Sequence, residues 1–202
     1  MDKGVPGRDN SITEGVKMDI AETYRTAYVH DSRKGEARWV ANSILQKKGR
    51  YTSVEDATRV PYWVVGIIHG LECSMRFDCH LHNGDPLTDR TVRVPHGRPL
   101  FGNPPFTWEQ SAIDALVDRD RPAVWTVAAT LEFLEAYNGL GYRKRGIPSP
   151  YLWAGTNIYT RGKYVRDGKF DPAAVSKQLG AAATMKAFEE YGFRLFPEHS
   201  HA

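Results

Sequence analysis

The chain has 202 residues, of which 41% are hydrophobic and 25% are charged, and this composition excludes a disordered protein. The formal net charge of +3 suits an anionic polymer as partner without identifying one. No apolar run is long enough to span a bilayer, and the start lacks the apolar core of a secretory signal. We therefore expect cytoplasmic synthesis and no stable membrane insertion. A single domain should cover residues 1–202, with a flexible arm at 1–16.

The pattern of residues does not indicate a metal or a nucleic acid. Cys73 and Cys79 have no further cysteine or clustered histidine at a zinc-binding spacing. His80 and His82 lack a fourth ligand at a diagnostic distance in the sequence. The basic residues at 143–145 are not interleaved with aromatic residues as in nucleic-acid modules. We expect reduced thiols, no metal, no cofactor and no nucleic-acid partner.

The first half of the chain is predicted to be helical up to a short β-hairpin. Residues 16–47 have the periodicity of one broken or two consecutive helices, interrupted near 32–35. Ser53, which precedes acidic residues, predicts a helix N-cap, and Pro61 fits the first turn of the next helix. Alternation on both sides of an Asn-Gly-Asp-Pro turn then predicts a small irregular hairpin over 77–95.

The second half is predicted to contain three helices and one ligand-binding loop. Thr107 begins a Thr-x-x-Gln capping box, so a helix should run from there to about Val117. Residues 124–137 are apolar on nearly every side and predict a central helix. The loop at 141–168 is rich in Tyr, Trp, Asn, Gly and Arg, a composition that suits a polar ring-shaped ligand. A last helix should begin at Asp171 and run to Tyr191.

Glu72 is the candidate catalytic residue. The helix that begins near Pro61 places Val65, Ile68 and Glu72 on one face, beside an apolar stripe. Apolar surroundings disfavour a charged carboxylate and raise its pKa, so such a glutamate can donate a proton near neutral pH. The ordinary alternative is a partly solvated or ion-paired glutamate at a helix end.

Two motifs that end helices resemble those of a known superfamily. Glu72-Cys73 ends the first helix, and Ala136-Tyr137-Asn138-Gly139 ends the second. Together they resemble the lysozyme-like superfamily, in which goose-type lysozymes and soluble lytic transglycosylases have Glu-Ser and Ala-Tyr-Asn-Ala-Gly. Cys73 stands here in place of the serine. The segment from His80 to Leu87 is similar to a hairpin of phage or prophage peptidoglycan hydrolases.

The resemblance implies an α+β, mainly α fold, with a lysozyme-like helical domain and a small β-hairpin beside an active-site groove. It implies cleavage of the β-1,4 bond between N-acetylmuramic acid and N-acetylglucosamine in peptidoglycan, with Glu72 as general acid. Asp85 is the candidate second carboxylate, and Thr91 would help to hold a water, as an Asp and a Thr do at that separation in similar phage lysozymes. Asp78 and Asp89 remain alternatives to Asp85, which is also ordinary turn chemistry before proline.

Six further residues are candidates for substrate binding. The resemblance implies this role for Tyr137 and Asn138, which would otherwise be a buried tyrosine and a helix cap. The 141–168 loop offers aromatic faces and polar side chains for sugars, or alternatively aromatics that fasten the loop to the body. Its candidates are Tyr151, Trp153, Asn157 and Tyr159.

Three other functions remain open. A lytic transglycosylase would use one glutamate as acid and base, and a cell-wall-binding module would keep the groove without turnover. A chitinase or chitosanase would apply the same two-carboxylate chemistry to a polymer of glucosamine units. We expect a monomer that reaches the wall after release from the cell, as a phage endolysin does, or by delivery.

Overall fold

The computed structural model describes residues 19–166 and 168–196, and these residues form a mainly helical α+β structure. Its two strands, β1 (Lys163–Arg166) and β2 (Lys169–Asp171), form one antiparallel hairpin. A short 3-10 helix spans Arg143–Arg145. The α-helices of the described residues are α1 (Ile20–Thr26), α2 (Asp31–Gln46), α3 (Lys48–Thr58), α4 (Tyr62–Cys73), α5 (Trp108–Leu116), α6 (Val127–Asn138), α7 (Pro150–Trp153) and α8 (Ala181–Glu190).

Helix α4 lies at the centre of the structure. Ten of its twelve residues are buried, as its nearly continuous apolar sequence requires. Helices α2, α3 and α8 pack around it. Its contact with α2 is close, because a Cβ on Gly66 would lie 2.6 Å from Cγ2 of the buried Ile44. This packing fixes the position of α4 in the core, and with it the position of the C-terminal turn that ends at Cys73.

Local signals account for several helix ends. The predicted capping box is present, with the Thr107 hydroxyl accepting from the Gln110 backbone and the Gln110 side chain accepting in return. Helix α6 begins where Thr126 caps Ala129 and ends at Gly139, whose φ of 101° favours glycine. The predicted helices at 107–117 and 124–137 are thus confirmed to within a turn.

The β-hairpin lies elsewhere than predicted. Over 77–95 the structure has turns and one isolated bridge between Cys79 and Pro86. Side chains hold this segment in place, so it does not need a ladder of backbone bonds. The hairpin instead forms over 163–171, within a region predicted as loop, where it pairs Tyr164 with Phe170.

Three helix boundaries also differ from the prediction. The break between α1 and α2 falls at 27–30, where Val29 pairs with Thr156, rather than near 32–35. Ser53 lies inside α3, where its hydroxyl bonds back to the helix instead of capping an end. Asp171 caps a turn at the end of β2, and α8 begins only after Gly180.

No helix within the described ranges combines the length and the apolar character that crossing a bilayer requires. The arm predicted for residues 1–16 lies outside the described residues.

The close packing of α4 on α2 gives a matched pair of glycine substitutions. Gly66→Ala should lower the free energy of unfolding by about 1–3 kcal/mol, because the added methyl group overlaps Ile44. Gly35→Ala, on the exposed side of α2 with no atom near its Cβ, should raise it by about 0.5–1 kcal/mol through helix propensity. Urea denaturation followed by circular dichroism measures both, and equal effects of the two would contradict the packing described.

Candidate functional site

Glu72 lies in the last turn of α4, at the point where the chain leaves the core. Ser74 and Met75 follow with φ values of 50° and 64°, which end the helix abruptly. Gly84 then returns so close that a Cβ there would lie 2.8 Å from the Glu72 carbonyl oxygen. The end of α4 and the 79–86 segment are therefore packed backbone against backbone, and this fixes the Glu72 main chain.

The Glu72 carboxyl group is largely withdrawn from water. Burial raises its pKa to about 7, although a hydrogen bond from Tyr151 and the positive charge of Arg119 both favour the ionised form. The Tyr151 hydroxyl donates to Glu72 Oε1 over 3.0 Å. A carboxyl group of this kind is protonated in a large fraction of molecules at neutral pH and can serve as a general acid.

Tyr137 connects α6 to the same region. Its hydroxyl donates to the Leu81 carbonyl over 2.7 Å, and the Arg119 guanidinium lies 4.6 Å from the centre of its ring. Burial, followed by the negative charge of Glu72, raises the pKa of the Tyr137 phenol. The hydroxyl of the motif residue Tyr137 is therefore bonded to the 79–86 segment rather than directed to a ligand.

A cavity of about 410 Å³ lies next to residues that contact the end of α4, but Glu72 itself does not line it. Tyr151 forms part of its wall and connects it to Glu72 through the hydroxyl hydrogen bond. Gln178, from the other side, donates its side-chain amide to the Leu71 carbonyl. The lining residues are Asn138, Gly139, Gly141, Tyr142, Pro150, Tyr151, Lys163, Tyr164, Gly168, Ser176 and Gln178. Seven of them belong to the 141–168 segment whose composition suggested a ligand.

Asp85 is fully engaged in hydrogen bonds. One carboxylate oxygen accepts from the backbone of Val92 and Arg93 and from the Asn83 amide, and the other accepts from Arg93 Nε over 2.6 Å. Burial alone would raise its pKa, but the Arg93 and Val92 bonds outweigh it, and the net pKa is below the ordinary value. Asp85 is therefore an ionised group that organises the 91–95 loop.

Thr91 has the same structural role. Its buried hydroxyl donates to the Pro95 carbonyl and accepts from the Arg98 backbone. The two alternatives to Asp85 are both exposed. Asp78 forms an ion pair with Arg76, and Asp89 accepts from the backbone of Arg90.

Four of the six predicted sugar-binding residues do not line the cavity, and one of them is Tyr137, whose hydroxyl bonds the Leu81 carbonyl. Trp153 is 1% exposed and packs in the core at the end of α7. Asn157 exchanges hydrogen bonds with the backbone of Tyr28. The Tyr159 hydroxyl, also buried, donates to the Gly162 carbonyl and accepts from the Ser176 backbone. These contacts fit the alternative in which such side chains fasten the loop to the body.

Four residues at the site had no individual signal in the sequence. Arg119 and Gln178 reach it from segments remote from both motifs, and Lys163 and Tyr164 reach it only because the 163–171 hairpin forms. A prediction that residues 163–171 pair as a hairpin would have been needed to place Lys163 and Tyr164 at the cavity.

Cys73 and Cys79 are buried free thiols. The Cys73 thiol points at the Cys79 and His80 carbonyls, at sulfur–oxygen distances of 3.5 and 3.4 Å. In the part of the chain that the structure describes, no three His, Cys, Asp or Glu residues are grouped so that they could hold a metal ion.

Comparison of the chain with protein-family models, with curated proteins and with solved structures finds no match.

The hydrogen bond between Tyr151 and Glu72 gives a prediction about proton affinity. Tyr151→Phe should raise the pKa of Glu72 further above its present value near 7. The Tyr151 hydroxyl stabilises the ionised carboxylate by donating to it, and the variant lacks this hydrogen bond. Carbon-13 NMR of labelled glutamate side chains measures the titration. Tyr159→Phe removes an equally buried hydroxyl that does not touch Glu72 and should leave the pKa unchanged. A lower pKa in Tyr151→Phe would contradict the proposed bond.

Proposed function

We propose that the protein cleaves the β-1,4 bond between N-acetylmuramic acid and N-acetylglucosamine in peptidoglycan, with Glu72 as general acid. The observation that carries the proposal is the Glu72 carboxyl group, whose pKa burial raises to about 7 and which a hydrogen bond connects to Tyr151 in the cavity wall. Glycoside hydrolysis needs a protonated acid next to the leaving oxygen, and at neutral pH an ordinary glutamate is almost fully ionised.

The cavity suits a saccharide. Its volume of about 410 Å³ falls in the range of roughly 300–1,000 Å³ that is common for ligand sites. The exposed Asn138 amide can bond hydroxyl and acetamido groups, and the partly exposed Tyr164 offers a ring face. In the reaction, Glu72 donates its proton to the glycosidic oxygen as the bond from that oxygen to C1 breaks. The oxygen of a water molecule then bonds to C1, and the proton that this water loses returns to Glu72.

The resemblance to the lysozyme-like superfamily supports the same proposal. Glu72 and the Ala136–Gly139 motif are far apart in sequence. The negative charge of Glu72 nevertheless contributes to the raised pKa of Tyr137, and Asn138 lines the same cavity as Tyr151, which bonds Glu72. That convergence is what a shared groove requires. We propose on this basis a lysozyme-like fold and an endolysin-like enzyme of phage or prophage type, which acts on the wall as a monomer after release or delivery.

Substitution of Glu72 tests the proposal directly. Glu72→Gln keeps the shape but removes the proton donor, so release of muropeptides from sacculi should fall by about a hundredfold to ten-thousandfold. Mass spectrometry of the products measures this release.

Glu132→Gln, an exposed substitution on α6, is the matched control and should remain active. Sedimentation of the wild type with sacculi, without any release of products, would instead identify a binding module that has no turnover.

A lytic transglycosylase is the second candidate, and the state of Asp85 favours it. Asp85 has all its oxygens engaged, and no carboxylate in the described residues is among the groups that shift the pKa of Glu72. A single glutamate suffices if it first donates its proton to the leaving oxygen and then accepts the proton of the muramyl 6-hydroxyl as that oxygen bonds to C1. The product is an anhydro sugar and no water is consumed.

Asp85 and Arg93 form a matched pair that decides whether Asp85 takes part in the chemistry. Asp85→Asn and Arg93→Gln remove the same ion pair, but only the first removes the carboxylate. Because that carboxylate is engaged in fixing the loop, we expect both variants to lose stability and activity in parallel, within about threefold of each other.

Product analysis of the same digests separates the two reactions, since hydrolysis gives reducing ends and transglycosylation gives anhydro-muramyl ends. An activity loss in Asp85→Asn of a hundredfold or more beyond that in Arg93→Gln would restore Asp85 as the second catalytic carboxylate.

A further inference from the structure

The lining of the cavity carries one charged side chain. Ten of the eleven lining residues are uncharged, and the eleventh is Lys163, on strand β1. Lys163 is partly exposed, so its ammonium group is accessible to a ligand. A single positive charge in an otherwise neutral polar cavity gives the cavity a preference for anions.

Within the described part of the chain, Lys163 has no carboxylate partner. Its neighbour across the hairpin is Asp171, but that carboxylate accepts from the backbone of Ala173 and Ala174 at 2.8 and 3.3 Å. No ion pair of Lys163 is found, whereas Arg143 nearby is neutralised by Glu135. Among the described residues Lys163 therefore forms no direct ion pair, and its ammonium group is available to a ligand, although Asp171 across the hairpin remains a nearby negative charge.

Other positive charges lie on the same side of the cavity. The Arg145 guanidinium bonds the hydroxyl of the lining residue Tyr164 over 2.8 Å and lies 4.7 Å from the centre of the Phe170 ring. Lys144 precedes it on the 3-10 helix and is exposed. These groups raise the potential around Lys163 and so strengthen its attraction for an anion.

We propose that Lys163 binds a carboxylate of the substrate, so that the cavity selects a carboxyl-bearing amino sugar over a neutral one. The inference rests on the proposed function in taking this cavity as the glycan site. In peptidoglycan the carboxylate has two possible sources. It is either the lactyl group of a muramic residue without its peptide, or the peptide attached to that group. A chitin strand offers neither.

Titrations of the full-length protein with small sugars test the inference without requiring turnover. The probes are N-acetylglucosamine, N-acetylmuramic acid, the methyl ester of that acid, and muramyl dipeptide, with binding followed by amide NMR shifts. We expect at least one carboxylate-bearing probe to bind about five- to tenfold more tightly than the neutral sugars, as a charge-assisted contact provides. Preference for the acid over its ester identifies the lactyl source, and preference for the dipeptide alone identifies the peptide.

Variants assign the preference to one side chain. Lys163→Gln should abolish the preference, Lys163→Arg should retain it, and Lys169→Gln, an exposed substitution on β2 that does not line the cavity, should leave it intact. Equal binding of charged and neutral sugars by the wild type, no binding of any probe, or a preference that survives Lys163→Gln would each overturn the inference.

Failure of the inference is distinguishable from failure of the proposed function. A Lys163-dependent preference without any cleavage of sacculi would retain the first and reject the second. Cleavage of sacculi with no Lys163-dependent preference would do the reverse.

Discussion

Nearly complete burial of α4 is the constraint on which the candidate site depends. A helix surrounded by α2, α3 and α8 cannot slide or rotate, so its last turn has a fixed position. Glu72 occupies that turn as a partly exposed residue, and its burial against the surrounding structure raises the pKa of the carboxyl group. The packing that fixes the helix thus also positions the carboxyl group on which the proposed chemistry depends.

The sequence predicts those parts of the fold that depend on local signals. The capping box at Thr107 and the apolar pattern of α4 each follow from neighbouring residues, and both are present. The misplaced hairpin shows where this reasoning ends. The 77–95 segment has good hairpin residues, but Asp85 and Thr91 use their side chains to bond its backbone, and these bonds replace strand pairing. The actual hairpin at 163–171 is stabilised by contacts between distant aromatic residues, such as Tyr142 and Tyr164.

The site likewise combines features that follow from the local sequence with features that depend on contacts between distant residues. The position of Glu72 follows from helical periodicity, but its partners Tyr151 and Arg119 are brought to it by tertiary packing. The composition of the loop that contains Asn157 and Tyr159 suggested a ligand, whereas the hydrogen bonds of these two side chains go to the protein itself. Composition can indicate that a segment is built for polar contacts. It does not tell whether those contacts are made within the chain or with a substrate.

The pKa of Asp85 is lowered and the pKa of Glu72 is raised, and for the proposed reaction these two shifts would set the limits of the working pH range. Asp85 has a lowered pKa, so its stabilising bonds are complete above the ordinary aspartate pKa and are lost only as the pH falls through the lowered value. Glu72 loses its proton as the pH rises through about 7. A bell-shaped activity profile would then have limbs of different origin. Its acid limb would report loosening of the 91–95 loop, and its alkaline limb would report ionisation of the proton donor.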